Sequence, residues 1–195
     1  MLIYIDIIVN TLDNVVNMSN ILNKTTCTVI GAMQYANGRG IREYLTDKLS
    51  KHGITVYDHY HKPFVHAVEE DELVRGKFKE WLETEEYDKL SEKKNIRTFD
   101  LKLIDISDFV IFVFDPDVLT CGSWEEFFWA NRMKKPIFFV NIKGKKRTPF
   151  WIFWTIPHKY IYSSVEEALQ RIDEIDNGTH PIDSERWKLL KMEYR

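Results

Sequence analysis

Cysteine is scarce in this chain of 195 residues, which contains only Cys27 and Cys121, far apart in the sequence. Their spacing fits neither a zinc site nor a CxxC redox motif, so we expect two reduced thiols in a cytosol-like compartment. There is no HExxH motif, and the cluster His59-Tyr60-His61 has no cysteine or second histidine pair nearby. We therefore expect no bound metal and no cofactor.

An excess of positive charge and a long hydrophobic run are also lacking. The formal net charge is -3, without the basic footprint expected of a protein that binds polymeric nucleic acid. The apolar start, residues 2–9, carries Asp6 and has no basic region of a signal peptide, and the Trp-rich run 150–154 is too short to cross a bilayer. We expect a cytoplasmic protein that binds neither polymeric nucleic acid nor a membrane.

The residues that are present indicate a globular protein. Hydrophobic residues make up 44% of the chain and charged residues 29%, and the length suits one domain with a sizeable core. We divide the chain into an N-terminal extension (1–25), an α/β domain (26–175) that contains a highly charged, partly helical insertion (69–94), and a C-terminal tail (176–195).

Strand and helix patterns alternate along the domain. The predicted strands are 26–30, 54–57, 109–114, 137–142 and 160–162, and the predicted helices are 41–52, 96–107, 124–133 and one that begins at Ser164. The continuous apolar run 109–114 is typical of a central parallel strand covered on both faces. The fold class is therefore α/β, a doubly wound, flavodoxin- or Rossmann-like open sheet of about five mostly parallel strands with helices on both faces.

Ligands of such sheets bind beyond the carboxyl ends of the strands, so the loops after Ile30, Tyr57 and Phe114 should share one rim. Asp100, in the helix before strand 109–114, and Glu126, in the helix after it, would face a pocket there. Two carboxylates in one pocket can divide labour, one as nucleophile and the other as proton donor. The alternative is that Ser123 and Glu126 form a capping box, S-x-x-E, at a helix start.

The stretch from Asn95 to Ile142 resembles the core of the nucleoside 2-deoxyribosyltransferase family and its nucleotide N-hydrolase relatives. The matching elements are Asp100-Leu101, Ile106-Ser107-Asp108, Asp115-Pro116-Asp117, Gly122-Ser123-Trp124-Glu125-Glu126 with Ala130, and Lys135-Pro136-Ile137. More weakly, Val29-Ile30-Gly31-Ala32-Met33-Gln34 is similar to the family's opening strand and loop.

The resemblance implies a role for several residues. Glu126 corresponds to the family's nucleophile, and Asp100 to an aspartate that protonates or orients the leaving base. The implied reaction cleaves the N-glycosidic bond of a 2-deoxynucleoside or its 5-monophosphate and passes deoxyribose to another base or to water. The expected substrate-binding residues are Gly31, Met33, Gln34, Arg39, Arg42, Asp117, Thr120, Gly122 and Ser123. Tyr57 and Asp58 are further candidates, although a turn or packing role suits them equally.

Residues Asn37 to Gly40, together with Arg42, precede a predicted helix N-terminus, which is a natural anion site. The two arginines, Arg39 and Arg42, favour a substrate phosphate there. A flexible connector is the equally weighted alternative.

Two other functional classes stay open. A nucleotide-sensing module of the same fold is one, because many transferases of the family have a tyrosine where this chain has Val29 or Ile30. An interaction protein is the other, with Phe150 to Trp154 as an exposed docking patch; burial of that stretch in the core or at a homodimer seam is the favoured alternative. The family resemblance further implies a homo-oligomer.

Overall fold

The computed structural model describes residues 20–31, 38–60, 62–65, 67 and 70–180, and it contains a five-stranded sheet in which every paired strand is parallel. The strands are β1 (Thr26–Gly31), β2 (Thr55–Tyr57), β3 (Phe109–Phe114), β4 (Ile137–Asn141) and β5 (Ile161–Tyr162), in the order β2-β1-β3-β4-β5. This order confirms the predicted doubly wound α/β fold, with the short strand β2 at one edge.

Helices surround the sheet. They are α1 (Gly38–Ser50), α2 (Glu72–Glu83), α3 (Tyr87–Ser91), α4 (Asn95–Ile106), α5 (Cys121–Arg132), α6 (Phe150–Thr155) and α7 (Val165–Asp176), with short 3-10 turns at Glu92–Lys94, Lys145–Arg147 and His158–Tyr160. Within the charged insertion, α2 and α3 carry mostly exposed side chains, as their composition predicts. None of the helices in the described part of the chain is long and apolar enough to cross a membrane.

Aromatic packing docks α5 onto the centre of the sheet. All six residues of β3 are buried, and the ring of Phe112 contacts the rings of Trp124 and Phe127 from α5 at 5.2 and 5.7 Å between centroids. Phe139 of β4 completes the cluster, 5.1 Å from Phe112. Each such ring buries on the order of 150–250 Å². The orientation of α5 is therefore fixed by the apolar core.

The start of α5 differs from the sequence prediction. The helix begins at Cys121, three residues before the predicted start near Trp124, and Thr120 occupies the N-cap without a side-chain hydrogen bond. Ser123 is consequently the third helical residue, where it cannot act as a cap. The capping-box alternative is wrong, and Glu126 lies on the second helical turn, not the first.

The domain boundaries near the termini are also informative. Leu22, in the proposed extension, is fully buried in the core of the domain, and its amide donates to the side chain of Asp176, the first residue of the proposed tail, at 2.8 Å. Residues 1–19 and 181–195, which include most of the proposed extension and tail, lie outside the described residues.

Candidate active site

The carboxyl ends of β2, β1 and β3 form one rim, as the strand order requires. Gly31 ends β1 with a φ of +145°, and a Cβ built there would lie 2.2 Å from the carbonyl oxygen of Val113 in β3. Only glycine tolerates both the backbone conformation and the close approach. Gly31 therefore contributes backbone atoms, and no side chain, to this rim.

Glu126 lies at this rim, buried to 5% exposure on the inner face of α5. Its Oε1 is 2.5 Å from Nε2 of His59, which follows β2. Its neighbour Glu125 points away, accepts a hydrogen bond from the Arg97 Nε at 2.8 Å and is exposed. This difference agrees with the rotation of about 100° between successive helical residues.

Asp100 projects from α4 into a chain of alternating charges. Its Oδ1 is 2.6 Å from Nζ of Lys62, and the same ammonium lies 2.9 Å from Oε1 of Glu70. The Glu70 carboxylate in turn lies 3.7 Å from the Arg75 guanidinium. The Lys62 side chain is 0% exposed, and a fully buried ammonium requires such partners, because an isolated buried charge is very costly.

The two carboxylates and the imidazole form one cluster. An oxygen of Asp100, an oxygen of Glu126 and a ring nitrogen of His59 all lie within 4.8 Å of one another, and His59 Nε2 is 4.0 Å from Asp100 Oδ1. The predicted pair of acidic side chains thus shares one small polar site. Their catalytic roles stay predictions.

Burial and charge shift the protonation of this cluster. Burial by itself would lower the pKa of His59, but the charge and hydrogen bond of Glu126, with the charge of Asp100, outweigh it and raise that pKa. Burial raises the pKa of Asp100, against the opposing effects of His59 and Lys62. His59 and Asp100 therefore each keep a proton to higher pH than the free side chain would.

His59, Asp100 and Glu126 are also a ligand set that a divalent cation could use, since one imidazole and two carboxylates suit zinc. However, Lys62 already places a positive charge on the Asp100 oxygen, and a cation would have to compete with it. These residues fit the ion-pair network better than a metal centre. The absence of a metal stays a prediction.

The two arginines predicted to bind phosphate lie beside a cavity of about 280 Å³, which is lined by Arg39, Arg42, Glu43, Thr46, Asp58 and Tyr60. Arg42 is buried and donates to the carbonyl oxygens of Gly31 and Gly38, both at 3.0 Å, so it ties α1 to the end of β1. Arg39 is more exposed and pairs with Glu43 at 3.1 Å.

The cavity is not lined by Glu126 or Asp100. It adjoins their cluster through the segment after β2, in which Asp58 and Tyr60 flank His59. Asp58 accepts a hydrogen bond from the Tyr60 amide at 2.7 Å, which fixes the turn on which His59 is carried.

The other predicted substrate-binding residues are distributed around α5. Thr120 is its N-cap, Ser123 is buried in its first turn, and Gly122 has open space where a Cβ would be. Asp117 is exposed and paired with Arg147 at 2.8 Å. Met33 and Gln34 lie outside the described residues.

Two residues of the cluster were not singled out for this role from the sequence. From the sequence, His59 is a candidate only for metal binding, and no prediction concerns Lys62. The available signal was the position of His59 directly after β2, on the predicted rim, two residues beyond Tyr57. Nothing in the sequence pairs Lys62 with Asp100, because the two are distant in the chain and meet only in the fold.

Comparison with known proteins gives a fold-level likeness. No protein-family model matches the chain, and no curated protein matches it. Among solved structures, the chain is similar to BcmB, a CMP N-glycosidase of Clostridium botulinum, with 20% sequence identity and a TM-score of 0.43. The match covers 77% of this chain and 99% of that one. A likeness this distant concerns the fold and assigns no role to any residue.

Proposed function

We propose that this protein cleaves the N-glycosidic bond of a 2-deoxynucleoside or its 5-monophosphate, with the carboxylate of Glu126 as nucleophile. The observation that carries the proposal is the cluster itself: Glu126 and Asp100, from the helices that follow and precede β3 in the chain, have oxygens within 4.8 Å of each other. Carboxyl groups about 5–5.5 Å apart are typical of retaining glycosidases, whereas inverting enzymes need about 6.5–9.5 Å.

In the first step, an oxygen of Glu126 bonds to C1′ of the sugar as the bond from C1′ to the base nitrogen breaks. The electron pair of that bond leaves with the base, which takes a proton from Asp100 directly or through water. The raised pKa of Asp100 favours this role as proton donor. In the second step, water or another base attacks C1′ and gives up a proton to the Asp100 carboxylate, while the bond between C1′ and Glu126 breaks and releases Glu126 as a carboxylate.

His59 takes part by holding the nucleophile. Its imidazole, 2.5 Å from Glu126, fixes the position of the carboxylate. This contact supplies an orienting partner that Val29 and Ile30, both buried in β1, cannot provide. Because Glu126 is buried, attack on a bound sugar requires that the segment after β2 shifts when the ligand enters.

The cavity beside Arg39 and Arg42 suits the 5-phosphate of a nucleotide. Its volume of about 280 Å³ is close to the lower end for small-molecule sites, about 300–1,000 Å³. Arg39 is the better candidate for a direct phosphate contact, since it is exposed at the cavity wall while two Arg42 donors already bind backbone carbonyls.

The test is incubation of the purified chain with deoxynucleosides and with their monophosphates, each with and without a free acceptor base, followed by chromatography of the released bases. We expect base release that is lost in Glu126→Gln and retained in Glu125→Gln, a matched neighbour that faces solvent. No release from any substrate, or equal rates in both variants, refutes the nucleophile. A ligand-induced thermal shift without base release would instead favour the nucleotide-sensing alternative.

A further inference from the structure

Helix α6 presents an aromatic surface that the described part of the chain leaves exposed. Phe150, Trp151 and Trp154 are 75%, 60% and 71% exposed, and Phe153 is also exposed, whereas Ile152 alone of these residues points into the core. Burial of this stretch in the core, the alternative favoured from the sequence, is therefore wrong for its four aromatic residues. Large exposed aromatic side chains that lie together mark an interaction surface.

The chain around this helix is strongly basic. Residues 143–159 contain five lysines and arginines and no acidic residue, so removing their five positive charges from the net charge of -3 leaves -8 for the rest of the chain. Lys143, Lys146 and Lys159 are exposed on either side of α6. Asp117 pairs with Arg147 at 2.8 Å and offsets one of the five charges. The charge asymmetry points to an anionic partner.

The arrangement of the rings favours a bilayer over single-stranded nucleic acid. Phe150 and Trp151 both pack against Trp154, with centroids 5.7 and 5.5 Å apart. They form one continuous apolar patch, whereas base stacking uses separate aromatic faces that each take one base. Tryptophan with flanking lysine and arginine is the composition that sits at a membrane interface.

A second copy of the chain fits this surface less well. A two-fold contact places the same patch of both subunits face to face. The basic residues on either side of α6 would then face basic residues of the second subunit, and like charges in contact are unfavourable. An anionic lipid surface meets both the apolar patch and the positive charge.

We propose that α6 and its flanking lysines bind the surface of an anionic membrane, with the aromatic rings at the level of the headgroups. This replaces the expectation of no membrane partner, which was based on the absence of a spanning segment. Surface binding needs no such segment. Arg147 connects the basic turn to Asp117, which follows β3, so the docked face lies at the carboxyl edge of the sheet.

The test is co-sedimentation of the full chain with vesicles of phosphatidylcholine alone and of phosphatidylcholine with phosphatidylserine. We expect binding to the anionic vesicles only, and weaker binding at high salt. The double variant Trp151→Ser/Trp154→Ser should lose at least about tenfold in affinity. Lys146→Ser should lose about fivefold, since one basic residue near an anionic surface contributes roughly that factor.

Leu73→Ser is the matched control, because Leu73 is 78% exposed on α2 in the charged insertion and should not affect vesicle binding. Thermal unfolding checks that each variant is folded. Absence of binding to anionic vesicles, or equal binding by the double variant, overturns the proposal. So does a dimer that the double variant dissociates, or capture of a single-stranded oligonucleotide in place of vesicles.

Discussion

Replacing His59 by glutamine should lower the stability of the protein, because His59 is the charged partner of Glu126 in the buried cluster. The substitution leaves the Glu126 carboxylate buried without its partner at 2.5 Å. Removing one member of a buried ion pair typically costs about 3–5 kcal/mol, a large part of the roughly 5–15 kcal/mol that stabilises a domain. At about 2–4 °C per kcal/mol for a chain of this size, we expect a melting temperature lower by on the order of 10 °C.

The loss should depend on pH with a defined sign. The folded protein raises the pKa of His59 above its ordinary value of 6.5, so between the two values the folded state binds more protons than the unfolded state. The stabilisation by His59 is therefore full below pH 6.5 and declines as the pH rises through the pKa of the folded protein. Glutamine does not titrate, so the difference between wild type and variant should shrink across that range.

The assay is urea unfolding of wild type, His59→Gln, Glu126→Gln and the double variant over a pH series. The double variant replaces both charges by neutral amides and should recover most of the stability that His59→Gln loses. His158→Gln, at an exposed histidine outside the cluster, is the matched control. Equal stability of His59→Gln and wild type at low pH, or a difference that does not vary with pH, would refute this account.

Three further expectations follow from the same geometry. Lys62→Met removes a hydrogen bond and a positive charge that lower the pKa of Asp100. The alkaline limb of the pH–rate profile of base release should therefore move to higher pH, and an unchanged profile would exclude Asp100 as the titrating acid. Gly31→Ala places a Cβ 2.2 Å from Val113 O in a conformation suited to glycine, so urea unfolding should show destabilisation of at least about 1–3 kcal/mol, and wild-type stability would contradict the backbone argument. Chelation with EDTA should leave base release unchanged, whereas a loss restored by zinc would identify His59, Asp100 and Glu126 as metal ligands.

The sheet was predictable because its signals are local. The strand Phe109–Phe114 matches the predicted bounds, since a continuous apolar run bounded by polar residues leaves little choice of ends. Parallel strands then place their carboxyl ends at one edge, which brought Asp100 and Glu126 to the same region in the prediction.

The partners of those carboxylates could not be predicted in the same way. Their contacts with His59 and Lys62 depend on how the chain after β2 folds back over the rim, and no periodicity encodes that path. The capping-box prediction is wrong for a related reason: the local motif at Ser123 predicts a helix start near Trp124, but α5 begins three residues earlier, at Cys121. The exposure of α6 also has no local signal, because its composition suits a core equally well.

The buried side chains of Glu126, His59 and Lys62 are held by two structurally different parts of the fold. Glu126 is carried by a helix whose aromatic rings interlock with the centre of the sheet, whereas His59 and Lys62 belong to the segment that leaves β2, a strand of three residues at the sheet margin. Substitutions at His59 or Lys62 can thus change the pKa of Asp100 without altering the helices that position the two carboxyl groups. A scaffold of this kind can acquire new substrate preferences from its periphery, without rebuilding its core.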